Sequence, residues 1–205
     1  VTRYSGLVAY DGEGGELTPD EATMVDRTVT ETSSFDLRGN SLESSTVKSY
    51  YVPGEGLVFA EAQTISTEDS YDIHNRALAS IIRSYTDSTF ETFKDQMQSI
   101  AYVSYDKFGN VLEQTIDTYT SFDPDQAFQV DHKLIVNTYG DPVAQRRGNA
   151  TNTVTTRSDK DANLIDRTTT DTTEFNQMGY AVDQVTTTEV YHEGAFVHTE
   201  KSVIH

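Results

Sequence analysis

Apolar and polar residues alternate with a period of two over most of the chain, which predicts β-strands. Residues 128–139 are a clear example. One face of this strand would carry Phe128, Val130, His132, Leu134 and Val136. The other face would carry Gln129, Asp131, Lys133, Ile135 and Asn137. The first face is the more apolar, so we expect it to be the more buried.

A helical period competes with the strand period at one place. Phe90, Phe93 and Met97 lie at positions i, i+3 and i+7, the spacing of one face of a helix. The period of two continues through the same residues, and we therefore favour a strand there.

Turn signals divide the predicted strands at regular intervals. Five turns each follow an aromatic residue, and these aromatics lie 36, 34, 34 and 36 residues apart: Phe35, Tyr71, Tyr105, Tyr139 and Phe175. A second series lies midway between them, at Pro53-Gly54, Asp87-Ser88, Asp123-Pro124, residues 158–163 and Glu193-Gly194. The segments 25–36 and 165–176 are identical at six of twelve positions. The chain therefore predicts repeats of about 35 residues, each containing two long strands.

The first series of turns follows the pattern aromatic-Asp-x-x-Gly-Asn. An Asp side chain can accept hydrogen bonds from backbone N–H groups two residues on, and Gly or Asn tolerates the left-handed conformation that closes a hairpin. We assign these structural turn roles to Asp36, Gly39, Asn40, Asp72, Asn75, Asp106, Gly109, Asn110, Asn176 and Gly179.

The predicted fold is all-β, an antiparallel meander of about 11–12 long strands built from these two-strand repeats. A sheet this wide is expected to curl or fold over on itself, in a shell-like or solenoid-like arrangement. Residues 1–21 form an acidic, Gly-rich segment or a degenerate first repeat, and residues 22–205 form one continuous hairpin array.

Composition narrows the classes of partner. The chain of 205 residues has 33 Asp and Glu against 15 Lys and Arg, a net charge of -18. This charge would repel a nucleic acid backbone or an anionic membrane. The chain has no Cys, which excludes disulfides and thiolate chemistry. No apolar run reaches the roughly 18 residues of a membrane span, so membrane insertion is not expected.

Acidic turns suggest calcium as one candidate ligand. Asp123 and Asp125, and likewise Asp159 and Asp161, would offer several oxygen ligands to one ion. The simpler interpretation, which we favour, is that Asp starts turns and keeps the sheet soluble.

Other candidate chemistry is sparse. His192 and His198 flank the Glu193-Gly194 turn and would face each other across a hairpin as metal ligands, although no third ligand is evident. Aromatic residues near the strand ends would form a sugar-stacking platform or, as we favour, stabilise the sheet through cross-strand pairs. We find no nucleophile elbow, phosphate-binding loop or zinc-protease motif. We therefore expect no catalytic residues, no cofactor and no enzymatic activity.

The segment Tyr105-Asp106-Lys107-Phe108-Gly109-Asn110 and the strand after it resemble the Tyr-Asp repeats of the Rhs/YD family. Residues 35–43 and 71–78 match the same pattern more loosely. The resemblance implies a secreted or surface protein whose strands form a large β-shell or extended sheet. The units here are longer than those of the family, and no autoproteolytic core segment is present, so enclosure of a toxin is not implied.

These features together predict a non-enzymatic, extracellular or cell-surface structural repeat protein, a scaffold or filament that associates with itself or with neighbouring repeats through sheet edges. The alternative is an adhesin or binding module that recognises a glycan or calcium through the aromatic rows and acidic turns.

Overall fold

The computed structural model describes residues 1–4, 24–67, 70–120 and 128–204. Within these ranges it contains twelve strands and one short helix, α1, Pro142–Arg146. The strands are β1 Thr2–Tyr4, β2 Met24–Phe35, β3 Ser41–Val52, β4 Gly56–Ser66, β5 Ala79–Tyr85, β6 Phe93–Tyr105, β7 Val111–Tyr119, β8 Gln129–Thr138, β9 Asn152–Ser158, β10 Leu164–Phe175, β11 Ala181–His192 and β12 Ala195–Ile204. Their order in the sheet follows their order in the chain. The predicted all-β antiparallel meander is thus confirmed.

Three hairpins share the same strand register. They pair β2 with β3, β6 with β7 and β10 with β11. The last pair before each turn is Phe35 with Ser41, Tyr105 with Val111, and Phe175 with Ala181. Each hairpin also has a bulge two residues before its aromatic, at Ser33, Val103 and Thr173. Since these hairpins are 70 residues apart, the structural repeat contains four strands, and the 35-residue spacing seen in the sequence is half of it.

The other half of the repeat replaces the tight hairpin with a longer connection. Strands β8 and β9 end at the pair Thr138 and Asn152, and α1 lies in the segment between them. In the preceding repeat, β4 and β5 are joined through residues 67–78, in which Tyr71 and Ala77 form an isolated bridge. The hairpin turn predicted at residues 139–142 is therefore wrong, because Asp141 and Pro142 begin a helix.

The strand prediction holds around Phe93. Strand β6 runs through Met97, so the helical alternative for residues 90–97 is wrong. Phe90 instead belongs to the loop before β6, where its φ is +61° and its ring meets Tyr85 edge-on at 5.3 Å.

The chain divides into two compact units, the first comprising Val1–Asp69 and Ile82–Asp95. In the described part of this unit, Ala62 and Tyr85 are the buried apolar residues. Asp26 is also buried and forms an ion pair with Arg3 of the neighbouring strand. Burial here is thus shared between a few apolar side chains and a paired charge.

The second unit comprises Ser70–Ile81 and Gln96–His205. Met97 is 1% exposed, and Ile100 and Ala144 are the other buried apolar residues in its described part. The apolar face predicted for β8 is not the more buried one, because Phe128 and Val130 are 76% and 51% exposed while Asp131 is 7% exposed. The expectation for this strand was wrong because Asp131 is covered by its ion pairs with neighbouring cationic side chains.

Candidate functional site

The residues singled out from the sequence form turns that close on the side chain of their first residue. In the turn at residues 106–110, Asp106 Oδ1 accepts the backbone N–H groups of Phe108 at 2.8 Å and Asn110 at 2.9 Å. Asp106 Oδ2 accepts the side-chain amide of Asn110 at 2.9 Å. Gly109 has a φ of +89°, which only Gly adopts without strain.

The same geometry recurs in the other turns of this series. Asp36, Asp72 and Asn176 accept N–H groups two and four residues further on. The fourth residue of each turn has a positive φ: Gly39, Asn75, Gly109 and Gly179. Asn40 and Asn110 donate their side-chain amides to Asp36 and Asp106, whereas in the Asp72 turn Arg76 donates instead.

These hydrogen bonds keep the turn carboxylates ionised. Burial raises the pKa of Asp72, but the backbone and guanidinium N–H groups of Arg76 and the N–H of His74 outweigh it and lower the pKa to about 2. The pKa values of Asp36 and Asp106 are lowered in the same way, against the opposing effect of burial. The oxygen atoms that a metal ion or a substrate would need are therefore already used by the turn.

In the second unit, consecutive turns contact one another. We call the segments 72–76, 106–110, 141–149 and 176–180 the turn row. Arg76 Nη1 donates to the carbonyl of Asp106 at 3.3 Å, and its guanidinium lies 4.7 Å from the centre of the Tyr105 ring. This arrangement joins the first turn of the row to the second.

Helix α1 continues the turn row. Asn110 Nδ2 donates to the carbonyl of Gln145 at 2.6 Å, and Gln145 Nε2 donates to Asp106 Oδ2 at 3.0 Å. On the other side, Arg147 Nη1 donates to the carbonyl of Gln177 at 3.3 Å. The helix is thus a spacer that hydrogen-bonds to the turn on each side of it.

The aromatic residues before the turns bind backbone groups of an earlier repeat. Tyr105 donates its hydroxyl to the carbonyl of Ala77, and Tyr139 donates to the carbonyl of Val111 at 3.2 Å. Both contacts link a Tyr to a residue 28 positions earlier in the chain. Phe35 has no hydroxyl and is 60% exposed. For Tyr105 and Tyr139, the observed contacts match the structural role that we favoured for these aromatics.

A groove in the turn row was missed by the sequence analysis. Its volume is about 460 Å³, and it is lined by His74, Arg76, Lys107, Phe108 and Gly109. Lys107 Nζ lies 4.9 Å from the centre of the Phe108 ring. The lining residues occupy the variable positions of two turns, and only the contact between these turns makes them neighbours.

The calcium candidates are not supported by the described residues. Asp123 and Asp125 lie outside the ranges that the structure describes. Asp159 accepts the N–H groups of its own turn, and Asp161 accepts Lys160 Nζ at 2.8 Å. Among the described residues, no group of three or more His, Asp or Glu side chains is placed to hold a metal ion.

The prediction that His192 and His198 face each other is wrong. Within β11 and β12, His192 pairs with Ala195, while His198 pairs with Glu189. Since Glu189 and His192 are three residues apart on one strand, the two histidines lie on opposite faces of the sheet.

Comparison of the chain with protein-family models, with curated proteins and with solved structures finds no match. The resemblance to Tyr-Asp repeats stays a prediction. In the described part of the chain, no helix has the length and apolarity that crossing a membrane requires.

Proposed function

We propose that the protein is a non-enzymatic structural repeat protein of the cell surface or extracellular space, in which a repeated hairpin extends a sheet as a scaffold. The observation that carries this proposal is the recurrence of one hairpin register, with the same bulge and the same turn, at Phe35, Tyr105 and Phe175. A catalytic site is a single arrangement of side chains, whereas a regular scaffold needs the same arrangement many times.

The chemistry of the turns supports the same function. Asp72 and Asp106 direct their oxygens at their own backbone and at the adjacent turn residues. Asp159 does the same within its own turn. Lowered pKa values make these carboxylates poor proton donors at neutral pH, which does not suit general acid catalysis.

A second candidate function, an adhesin or binding module, is favoured by the groove in the turn row. Lys107, Arg76 and His74 surround the exposed ring of Phe108, and the chain is otherwise strongly acidic. A basic groove with one aromatic wall suits a carboxylated or sulfated sugar. Arg76 also forms an ion pair with Asp72, which reduces the net positive charge of the groove.

The two functions are separated by a ligand screen. The melting temperature of the full chain would be measured with neutral, carboxylated and sulfated glycans and with calcium, alongside turnover assays on hydrolase substrates. The scaffold function predicts neither turnover nor a shift above about one degree. A shift of several degrees with one glycan, lost in Phe108→Ala and kept in Phe35→Ala, would contradict the scaffold in favour of the binding module.

A further inference from the structure

The strands at the two ends of the strand order repeat the registers of internal strands. Strand β12 pairs with β11 as β8 pairs with β7, because Thr186 lies opposite Ser202 where Ile116 lies opposite Lys133. The remaining pairs keep the same offset, through to Gln184 with Ile204 and Gln114 with Ile135. Strand β12 is therefore the counterpart of β8.

Strand β1 is in the same way the counterpart of β9. Arg3 lies opposite Asp26, and Arg157 lies opposite Asp166, 140 residues further along β10. Each Arg forms an ion pair with the Asp opposite it. Both pairs of strands also have an irregularity at the next position.

Strands β8 and β9 pair with each other in the interior of the array. We propose that β12 of one copy of this chain pairs with β1 of a second copy in the β8–β9 register. This inference rests on the proposed scaffold function and names its partner, a second copy of the same chain. The register of β8 and β9 places four pairs opposite each other across the two copies: Lys201 with Tyr4, Ser202 with Arg3, Val203 with Thr2 and Ile204 with Val1.

Charge complementarity supports this partner. In the interior, Arg157 lies between two carboxylates, Asp166 beside it on β10 and Asp131 on β8 at 3.9 Å. The corresponding residues in the assembly are Arg3, Asp26 of its own copy and Glu200 of the other copy. The side chain of Arg3 is 66% exposed, against 38% for Arg157, which has a strand on each side. The second copy would cover this difference.

The two contacting surfaces are different, so the contact is heterologous and the assembly grows head to tail into an open chain. Only four residue pairs meet, and each copy carries a net charge of -18, so the association is weak and is strengthened by salt that screens the repulsion. We expect concentration-dependent growth in sedimentation velocity between about 10 μM and 1 mM protein in 0.5 M NaCl.

The register is tested with single cysteines, because the natural chain has none. Thr2→Cys protein is mixed with Val203→Cys protein under mild oxidation, and we expect a disulfide-linked dimer of the two variants. The control mixes Thr2→Cys with Ser202→Cys, whose side chain lies on the opposite face of the sheet. Equal cross-linking in the two mixtures, or sedimentation as a monomer at every concentration, would overturn the proposal.

The ion pair is tested with charge reversal. Glu200→Arg should weaken the association at least about threefold, whereas Glu174→Arg, on the interior strand β10, should leave it unchanged. Melting temperatures of both variants check that the fold is kept. A scaffold that fails this test but shows no ligand or turnover in the screen is a monomeric scaffold, while a positive screen rejects the scaffold function whatever the association.

Discussion

Asp106 and Asn176 occupy the same position in two turns that differ by one charge. Both accept N–H groups two and four residues further on, at 2.8–3.0 Å. Only the carboxylate has a second oxygen, which also accepts the side chains of Asn110 and Gln145. The amide therefore closes the turn, and the carboxylate additionally connects it to α1.

This difference predicts the pH dependence of an Asp106→Asn variant. The pKa of Asp106 is lowered in the folded state, because hydrogen bonds from Asn110, Phe108 and Gln145 outweigh burial. Its contribution to stability is therefore present above the unfolded pKa near 3.8 and is lost as the pH falls through the lower folded pKa. We expect the variant to melt below the natural protein at pH 7 and to melt at the same temperature near pH 2.

Thermal melts at pH 7, 5, 3 and 2 measure this difference. Asp161→Asn is the control, because Asp161 bonds to the exposed Lys160 at the surface of its turn. A gap for Asp106→Asn that is constant from pH 7 to pH 2 would contradict the role of the ionised carboxylate.

The left-handed residue of the same turn gives a second test. Gly109→Val should cost about 1–2 kcal/mol, because a β-branched residue is strained at a φ of +89°. Lys107→Val, two residues earlier and exposed, should change the free energy of unfolding by less than about 0.5 kcal/mol. Urea denaturation of both variants provides the comparison, and equal costs would mean that the conformation of residue 109 does not limit the turn.

At the scale of elements, helix α1 is the feature that departs most from the predicted array. Asp141 caps it by accepting the N–H groups of Val143 at 2.9 Å and Ala144 at 2.7 Å, and Pro142 occupies its first turn. Asp followed by Pro is a helix start as well as a turn signal. The regular spacing of the aromatics favoured the turn, and only the contacts of α1 with its neighbours distinguish the two.

An Asp141→Ala variant tests this cap. Loss of both hydrogen bonds should cost about 1 kcal/mol and weaken the link between α1 and the turns beside it. Glu174→Ala, on an exposed part of β10, serves as the matched control and should be near neutral. If hydrogen exchange at Gln145 and Arg147 is unchanged in Asp141→Ala, the cap does not hold the helix.

At the scale of the whole molecule, the sequence was sufficient to predict the strands, most turns and their order, because each hairpin depends on residues close together in the chain. The doubling of the repeat to 70 residues was not predictable in this way. Residues 71–76 and 105–110 have nearly the same turn motif, but the strands that follow Tyr71 and Tyr105 begin differently. Register between strands, which a turn motif alone does not specify, separates the two halves.

The doubled repeat predicts which internal deletion is tolerated. Deleting residues 94–163 removes four strands and joins Phe93 to Leu164, which has the position of Lys94 in the next repeat. Because repeat arrays depend on contacts between neighbours, we expect this shorter chain to fold with the same strand content. Deleting residues 94–128 joins two unlike halves, and we expect a large fall in melting temperature.

Circular dichroism and thermal melts of the two deletions decide between the periods. If both chains melt alike, the unit of the array is 35 residues and the two kinds of half-repeat are interchangeable. Folding of only the 94–163 deletion would establish that four strands form the exchangeable unit.

The strand order from β1 to β12 also sets how the protein would respond to a pulling force. In a sheet where every strand neighbours the one before it in the chain, tension on the two ends peels strands away singly, and no pair far apart in the sequence locks the whole sheet. Each step would release the length of one strand and leave the remaining hairpins intact, since their turns are closed by local hydrogen bonds. Such a molecule yields in many small steps at low force and recovers strand by strand when the force is removed.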